Sequence, residues 1–331
     1  MCRRWLIITT LCIMPIIFSL FYQTRSSIIT RNSLSILFTK TTTAARMSSS
    51  SSSTFHHPQH KFPITLPEGL TQETVLNFNP FATWLSTLTH SLSLQSINPS
   101  HPFHSDPYTL RSITIQSYDL FGPRLGFLKL QSQITNSAGD FLPGAVFLRG
   151  PSVAMLVILI PDDVLDTKLT DERYVLLTVQ PRVPAGSLEF VELPAGMVDD
   201  EGTFAGAAAK EIKEELGLVI EADELTDLSK LALSQKEEGG EGEGEGEGLA
   251  AAVYPSPGGC DEFIPIFMHE KKVPREQLKE WTGKLTGLRE HGERITLKLV
   301  RMQDLWKEGG RDGKTLAAVT LWEGLRREGK V

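Results

Sequence analysis

Glu211, Glu214 and Glu215 stand at positions i, i+3 and i+4 of a segment in which a capping threonine and a run of alanines predict a helix over about residues 203–216. That spacing sets the three carboxylates on one face. Like charges so placed cost a helix roughly 0.2–0.5 kcal/mol per pair. They are therefore candidates for holding a hard divalent cation, Mg²⁺ or Mn²⁺, which takes carboxylate oxygens and bridges to phosphates. An acidic face turned to solvent would carry the same pattern. Ala205, Ala208, Ile212 and Leu216 point toward a core. Gly217 follows as the residue that ends the helix, and Pro194 with Gly196 makes a turn ahead of it.

The elements around this helix interleave. Residues 153–160 are a continuous apolar run between prolines, the pattern of a strand buried on both faces, and residues 174–179 and 188–193 read as further strands. Residues 295–299 alternate as another strand, and residues 316–327 close the chain as an amphipathic helix. Upstream, Phe81, Trp84, Leu85 and Leu88 give a helical pattern within residues 72–95, while period-two alternation about the Gly122-Pro123 turn predicts a hairpin over residues 111–134. Strands alternating with helices imply an α/β fold with a mixed sheet.

The net charge of −7 is a sum of unlike parts. Residues 1–67 hold no acid and seven basic residues (Arg3, Arg4, Arg25, Arg31, Lys40, Arg46, Lys61), so the rest carries all 40 acidic residues and a charge of −14. An acidic body argues against nucleic-acid partners, which are bound by neutralising phosphates. Residues 5–22 are uncharged and mostly apolar behind Arg3 and Arg4, residues 25–46 have the basic, hydroxyl-rich composition of a presequence, and Met47 opens a serine run. An organelle presequence, a membrane anchor and an untranslated extension upstream of Met47 are the alternatives. Mitochondrial or cytoplasmic localisation is expected, with membrane association only if the segment is retained. His56, His57 and His60 are assigned to this leader, and residues 1–67 are left outside the fold. Cys2, Cys12 and Cys260 build neither a zinc site nor a disulfide framework. Residues 237–248 (EEGGEGEGEGEG) read as a solvated acidic loop insertion.

From Gly196 the order is five residues, Gly202, seven residues, then KEIKEELGL at residues 210–218. This resembles the Nudix box, matching it at Gly196, Glu211, Ile212, Glu214, Glu215, Gly217 and Leu218. Gly202 stands where the box has an acid, beside Asp199, Asp200 and Glu201. Lys210 stands where it has arginine, keeping the charge and losing the planar fork. The segments GPSVAMLVILI, TVQPRVPAGSLEFVELPAGMVDD, YPSPGGCDE and GLREHGERI are similar to the ADP-ribose and ADP-sugar diphosphatase branch, nearest to its plant and fungal ADP-sugar diphosphatases, over about residues 111–327.

The resemblance implies a Nudix α/β/α sandwich over residues 151–331, preceded by a small β-rich sub-domain at residues 68–150 that exchanges across a homodimer. It implies that the Ala195 carbonyl, Glu211 and Glu215 hold Mg²⁺ with Glu214 assisting, that Arg182 contacts substrate near the diphosphate, that Glu262 lines the site, and that Glu293 is the general base or a metal partner, with Glu290 the rival base. Arg149 either binds phosphate or caps a strand edge. Cys260 reads as a small loop residue and His291 as an exposed one. The implied reaction is Mg²⁺-dependent hydrolysis of ADP-ribose or an ADP-sugar to AMP and a sugar phosphate. Hydrolysis of a UDP-sugar or another nucleoside diphosphate, and a nucleotide-binding domain that does not cleave, are the other readings.

Overall fold

A computed structural model describes residues 52–166, 171–198, 203–233, 246–287 and 294–331. Two sheets are built in chain order. The first contains β1 (Ser53–His56), β2 (Pro63–Leu66), β3 (Thr109–Phe121), β4 (Arg124–Thr135) and β5 (Phe141–Leu142) in the order 1-2-3-4-5, with β6 (Ala145–Leu148) also paired to β4. The predicted hairpin is β3–β4, whose inward residues Leu110, Ile113, Ile115, Leu128, Leu130 and Ile134 alternate with exposed ones. Two helices, α1 (Gln72–Leu76) and α2 (Asn79–Ile97), take the place of the single helix read over residues 72–95. Asn77 caps the first, and Pro80 sits in the first turn of the second, where a missing N–H costs nothing. Phe81 and Leu85 of α2 join the β3–β4 side chains in one core.

The boundary set at residue 67 falls too late. Phe62, Ile64 and Leu66 alternate with Pro63 and Thr65, and all three are buried in the first core, with β2 parallel to β3 through Ile64 and Ile113. His57 is buried as well, its ring stacked on that of Phe62 at 5.5 Å, and it accepts hydrogen bonds from the His60 and Gln59 amides. Burial of an apolar side chain contributes about 1.5–3 kcal/mol. A chain beginning at Glu68 is therefore expected to have a clearly lower Tm than one beginning at Met47; equal melting curves would show that β1 and β2 add nothing.

The second sheet is mixed, as expected. It contains β7 (Ser152–Pro161), β8 (Tyr174–Arg182), β9 (Ser187–Glu192), β10 (Ala195–Met197), β11 (Thr226–Asp227), β12 (Ile266–Val273), β13 (Leu285–Thr286) and β14 (Ile295–Arg301). The main order is 11-12-7-8-14-13, with β7 and β12 parallel, β10 added to β7 and β9 to β8. Every residue of β7 is buried, because both faces are covered. Ala154, Leu156, Ile158 and Ile160 face one core, shared with α4 (Leu228–Leu233), α6 (Leu305–Glu308) and α7 (Gly313–Arg327). Val153, Met155, Val157 and Leu159 face the other, shared with α3 (Phe204–Glu211) and α5 (Leu278–Trp281). Helices thus cover both faces, the expected sandwich.

β6 also pairs with the loop ahead of β12. The Phe147 N–H donates to the Gly259 carbonyl at 2.8 Å, and the Asp261 N–H to the Phe147 carbonyl at 3.3 Å. Residues 237–245 of the acidic insertion lie outside the described residues. Its end is anchored rather than free: the Gly246 carbonyl lies 2.9 Å from His90 Nε2 and Glu247 accepts from the Ser91 hydroxyl, both on α2. Among the described residues no helix is long and apolar enough to cross a membrane; residues 5–22 lie outside them.

Candidate active site

β7 and β8 pair only through Ile158 with Val175 and Leu159 with Tyr174. Past that ladder they diverge, and the chain that follows β8 fills the split: β9 runs beside β8 as far as Arg182, and β10 beside β7 from Ala154 to Ser152. Residues 192–196 therefore sit where two strands of one sheet separate, fixed by the Met155 N–H donating to the Pro194 carbonyl at 3.0 Å.

Helix α3 delivers its last residue to this segment. Thr203 caps the helix by accepting from the Gly206 N–H, and Ala208 and Ile212 are buried beneath it. A Cβ on Gly196 would lie 1.8 Å from Glu211 Oε1 and 2.0 Å from its Cδ. The Glu211 carboxylate thus occupies the space that any other side chain at 196 would fill. The φ of Gly196 is not positive, so glycine is required here for room and not for backbone freedom.

After Glu211 the helix widens into a π turn, Ile212–Leu216, and Gly217 ends it with φ 69°. The wider turn carries Glu215 inward with Ile212 and Leu216, leaving it 5% exposed. Its Oε2 accepts from the Ala195 N–H at 3.1 Å and its Oε1 from Gln180 Nε2 at 3.3 Å. Burial pushes the Glu215 pKa up to about 8, the nearby charges of Glu211 and Glu192 add to that rise, and the Ala195 hydrogen bond and Arg182 oppose it. Glu214 is half-buried. Of the three carboxylates, Glu215 alone is buried, and Glu211 is half-buried like Glu214. Among the described residues no three His, Cys, Asp or Glu side chains are gathered as a metal site. Glu211 and Glu215 remain as a pair of hard oxygen donors whose mutual repulsion a divalent cation would relieve, so the donor set suits Mg²⁺ or Mn²⁺.

Arg182 ends β8 on the same side as Gln180. Its Nε donates to Glu192 Oε1 at 2.6 Å. Glu192 is buried, and its Oε2 is held by the ammonium of Lys314, which also reaches Asp312 Oδ1 at 3.1 Å. A second group forms at the start of β7. Arg149 Nη1 lies 3.0 Å from Glu262 Oε1, its Nη2 donates to Ser152 Oγ at 2.9 Å, and Ser152 donates to the same Glu262 oxygen at 2.8 Å. Asp261 accepts from the Arg149 and Gly150 amides, and burial raises its pKa. Arg149 and Glu262 are thus partners of each other, and Arg149 Nε is buried with no hydrogen-bond partner. Cys260 is half-buried in the neighbouring loop, and burial raises its thiol pKa, the environment of an inert thiol.

A cavity of about 460 Å³ opens beside this second group, between α2 and the 247–263 loop, with Trp84, Thr87, Tyr254, Gly259, Asp261 and Phe263 in its wall. Among its described lining residues there is no lysine or arginine. Phe263 reaches from it to Phe204, the first residue of α3, with ring centroids 6.0 Å apart.

Of the residues singled out in the sequence, Ala195, Glu211, Glu215 and Arg182 come together around the strand split, and Arg149 and Glu262 form their own pair. Glu293, Glu290, His291, Gly202, Asp199, Asp200 and Glu201 lie outside the described residues. Gln180, Glu192, Asp312 and Lys314 were not anticipated. Gln180 carried a signal, since it shares a strand face with Arg182; Asp312 and Lys314 are neighbours in the chain, and only tertiary contact brings them to Glu192.

A family model described as the NUDIX domain matches residues 163–317. Over these residues the chain carries a NUDIX domain. A relative named Nudix hydrolase 14, chloroplastic, from Arabidopsis thaliana is 40% identical over 225 residues, covering 67% of this chain and 65% of that protein. This chain thus spans just under two thirds of that relative's length. A solved structure titled as a crystal structure of an ADP compounds hydrolase aligns with a TM-score of 0.44 at 16% identity, covering 68% of this chain and 97% of that one.

Proposed function

We propose that this chain hydrolyses the diphosphate of ADP-ribose or an ADP-sugar, releasing AMP and a sugar phosphate. The observation that carries the reading is the carboxylate pair over Gly196, Glu211 and the buried Glu215, set within a Nudix domain. Glu211, Glu215 and the Ala195 carbonyl are the groups to hold Mg²⁺ or Mn²⁺, with Glu214 assisting. When bound, the cation shields the diphosphate and makes water more acidic. Arg182, anchored through its Nε, offers its guanidinium to the diphosphate, and the carboxylate of Glu293 takes the proton of the attacking water. A P–O bond to water forms as the bridging P–O bond breaks, and the leaving phosphate departs as one product.

The cavity beside Glu262 suits the uncharged end of such a substrate. Its aromatic wall and lack of cationic side chains among the described lining residues favour a nucleoside or sugar over phosphate. The choice of an ADP-linked sugar rests on the similarity of the segments around Arg182, Glu262 and Glu293 to that branch. Partnership as a homodimer rests on the same similarity. An organellar reading of the leader agrees with the chloroplastic label of the Arabidopsis relative.

Incubation with Mg²⁺ and ADP-ribose, ADP-glucose, UDP-glucose or NADH, followed by assay of AMP, UMP and sugar phosphate, tests the proposal. AMP from the ADP compounds is the expected result. UMP alone would assign a UDP-sugar, and no product from any compound would leave a nucleotide-binding domain, the reading that Gly202 and Lys210 favour. Exchange of Glu293 for Gln is expected to lower kcat by about 10²-fold with unchanged metal affinity. Undiminished turnover in that variant would transfer the base to Glu290 or to the helix.

A further inference from the structure

Lys314 is the second residue of α7, 122 residues beyond Glu192 in the chain, and it is only 8% exposed. Lysines are almost never buried without a partner, and an ion pair so deep is weak evidence of stabilisation, because desolvation offsets the attraction. The geometry it imposes is more informative. Glu192 has two oxygens: Oε2 is taken by the Lys314 ammonium, and Oε1 accepts from Arg182 Nε at 2.6 Å. Arginine and a carboxylate favour a two-point fork. Here they make one contact, and the two terminal nitrogens of Arg182 have no hydrogen-bond partner among the described residues, on a side chain 40% exposed.

We infer that Lys314 is a positioning residue for Arg182: by occupying the second oxygen of Glu192, it prevents the two-point pairing and keeps the terminal nitrogens of Arg182 available to an anionic diphosphate. This rests on the reading of Arg182 as the diphosphate ligand given under Proposed function. Asp312 keeps the lysine in place. Its Oδ1 binds the Lys314 ammonium, while its Oδ2 accepts from the Thr315 hydroxyl at 2.7 Å and from the Leu193 N–H at 3.1 Å. The carboxylate that holds the lysine therefore also holds the strand leading to Ala195. The four side chains, Arg182, Glu192, Lys314 and Asp312, balance in charge, so the arrangement asks for no further ion. It joins the end of β8, the end of β9 and the start of the last helix across the site.

The Lys314→Met variant removes the ammonium at nearly constant shape. With Glu192 Oε2 released, Arg182 is expected to close on it, and loss of its charge-assisted bond to substrate should raise the KM for ADP-ribose about 10-fold with little change in kcat. Arg182→Ala should raise KM likewise, and adding Lys314→Met to it should change nothing further, because both act through one contact. A lysine that served the fold alone would lower Tm and raise KM independently of Arg182, and such additive effects would overturn the inference. A crystal structure of Lys314→Met supplies a readout that needs no activity: a two-point Arg182–Glu192 pair supports the inference, and a retained single contact overturns it. If that structure shows the fork while Arg182→Ala leaves KM unchanged, the assignment of Arg182 to substrate fails and the control of its geometry by Lys314 stands. Should Lys314→Met fold poorly with Asp312 unpaired, the Lys314→Met/Asp312→Asn variant removes one charge of each sign and is expected to give the same outcomes.

Discussion

Replacing Gly196 with alanine is expected to lower the proposed hydrolysis on the order of 10³-fold while leaving the protein folded. The added methyl would sit 1.8 Å from Glu211 Oε1 and 2.0 Å from Cδ, well inside contact distance. Something must move, and the atom it meets is the far end of a side chain, so the relief is cheap for the fold: Glu211 swings away about its own torsions. It is expensive for the chemistry, because misplacement of a reacting group by about 1 Å already costs about 10²-fold, and here a group proposed to hold the cation is displaced further. The backbone gives no competing reason for failure, since φ at Gly196 is not positive and alanine suits the β10 strand pairing with Val153. Circular dichroism and Tm close to those of the parent, with kcat/KM for ADP-ribose reduced about 10³-fold, are the expected measurements. Activity within a few-fold of the parent would mean that the carboxylate seen against Gly196 is not the working position of Glu211.

That single contact marks the border between what the sequence discloses and what it withholds. The helix over residues 204–211, its threonine cap and its glycine stop depend on local preferences and were legible in order and spacing. So were the buried β7 strand, whose run has no polar residue to turn outward, and the β3–β4 hairpin, which alternates about a Gly-Pro turn. The π turn at residues 212–216 was not, because its residues have the spacing and preferences of an ordinary α-helix, and only the fold shows Ile212 and Leu216 buried in the core with Glu215 beside them. β2 was overlooked despite its alternation of Phe62, Ile64 and Leu66, since the serine and histidine tract ahead of it has the composition of an unstructured leader. The charges around Arg182 come from residues 182, 192, 312 and 314, and only the folded chain brings Lys314 to Glu192. Local chemistry was readable; the electrostatic setting that tunes it arises from contacts between distant segments.

The same setting predicts how strongly the site depends on pH. In the protein without a bound cation, Glu215 has its pKa pushed up to about 8 from an ordinary 4.5, chiefly by burial and next by Glu211. Between those two values the folded state holds a proton that the unfolded chain has lost, so stability of the cation-free protein falls as pH rises from about 4.5 to 8 and levels off above. Cation binding runs the other way. An oxygen donor must be deprotonated to bind, so below pH 8 each bound Mg²⁺ releases the Glu215 proton, and apparent affinity drops about tenfold per pH unit, or nearly 10³-fold between pH 8 and pH 5. Calorimetric titration with Mg²⁺ in buffers of differing ionisation enthalpy measures both quantities, the affinity and the release of close to one proton at pH 7. A Glu215→Gln variant should lose both the pH dependence and most of the affinity, since its amide cannot carry the charge. Affinity independent of pH across that range, with no proton released, would mean that Glu215 is already ionised in the folded protein and that the buried carboxylate is stabilised by something other than the cation. The expected Tm pattern is an independent check. Added Mg²⁺ should raise Tm most at pH 8, where the cation-free fold is weakest and binding is strongest, and hardly at all at pH 5.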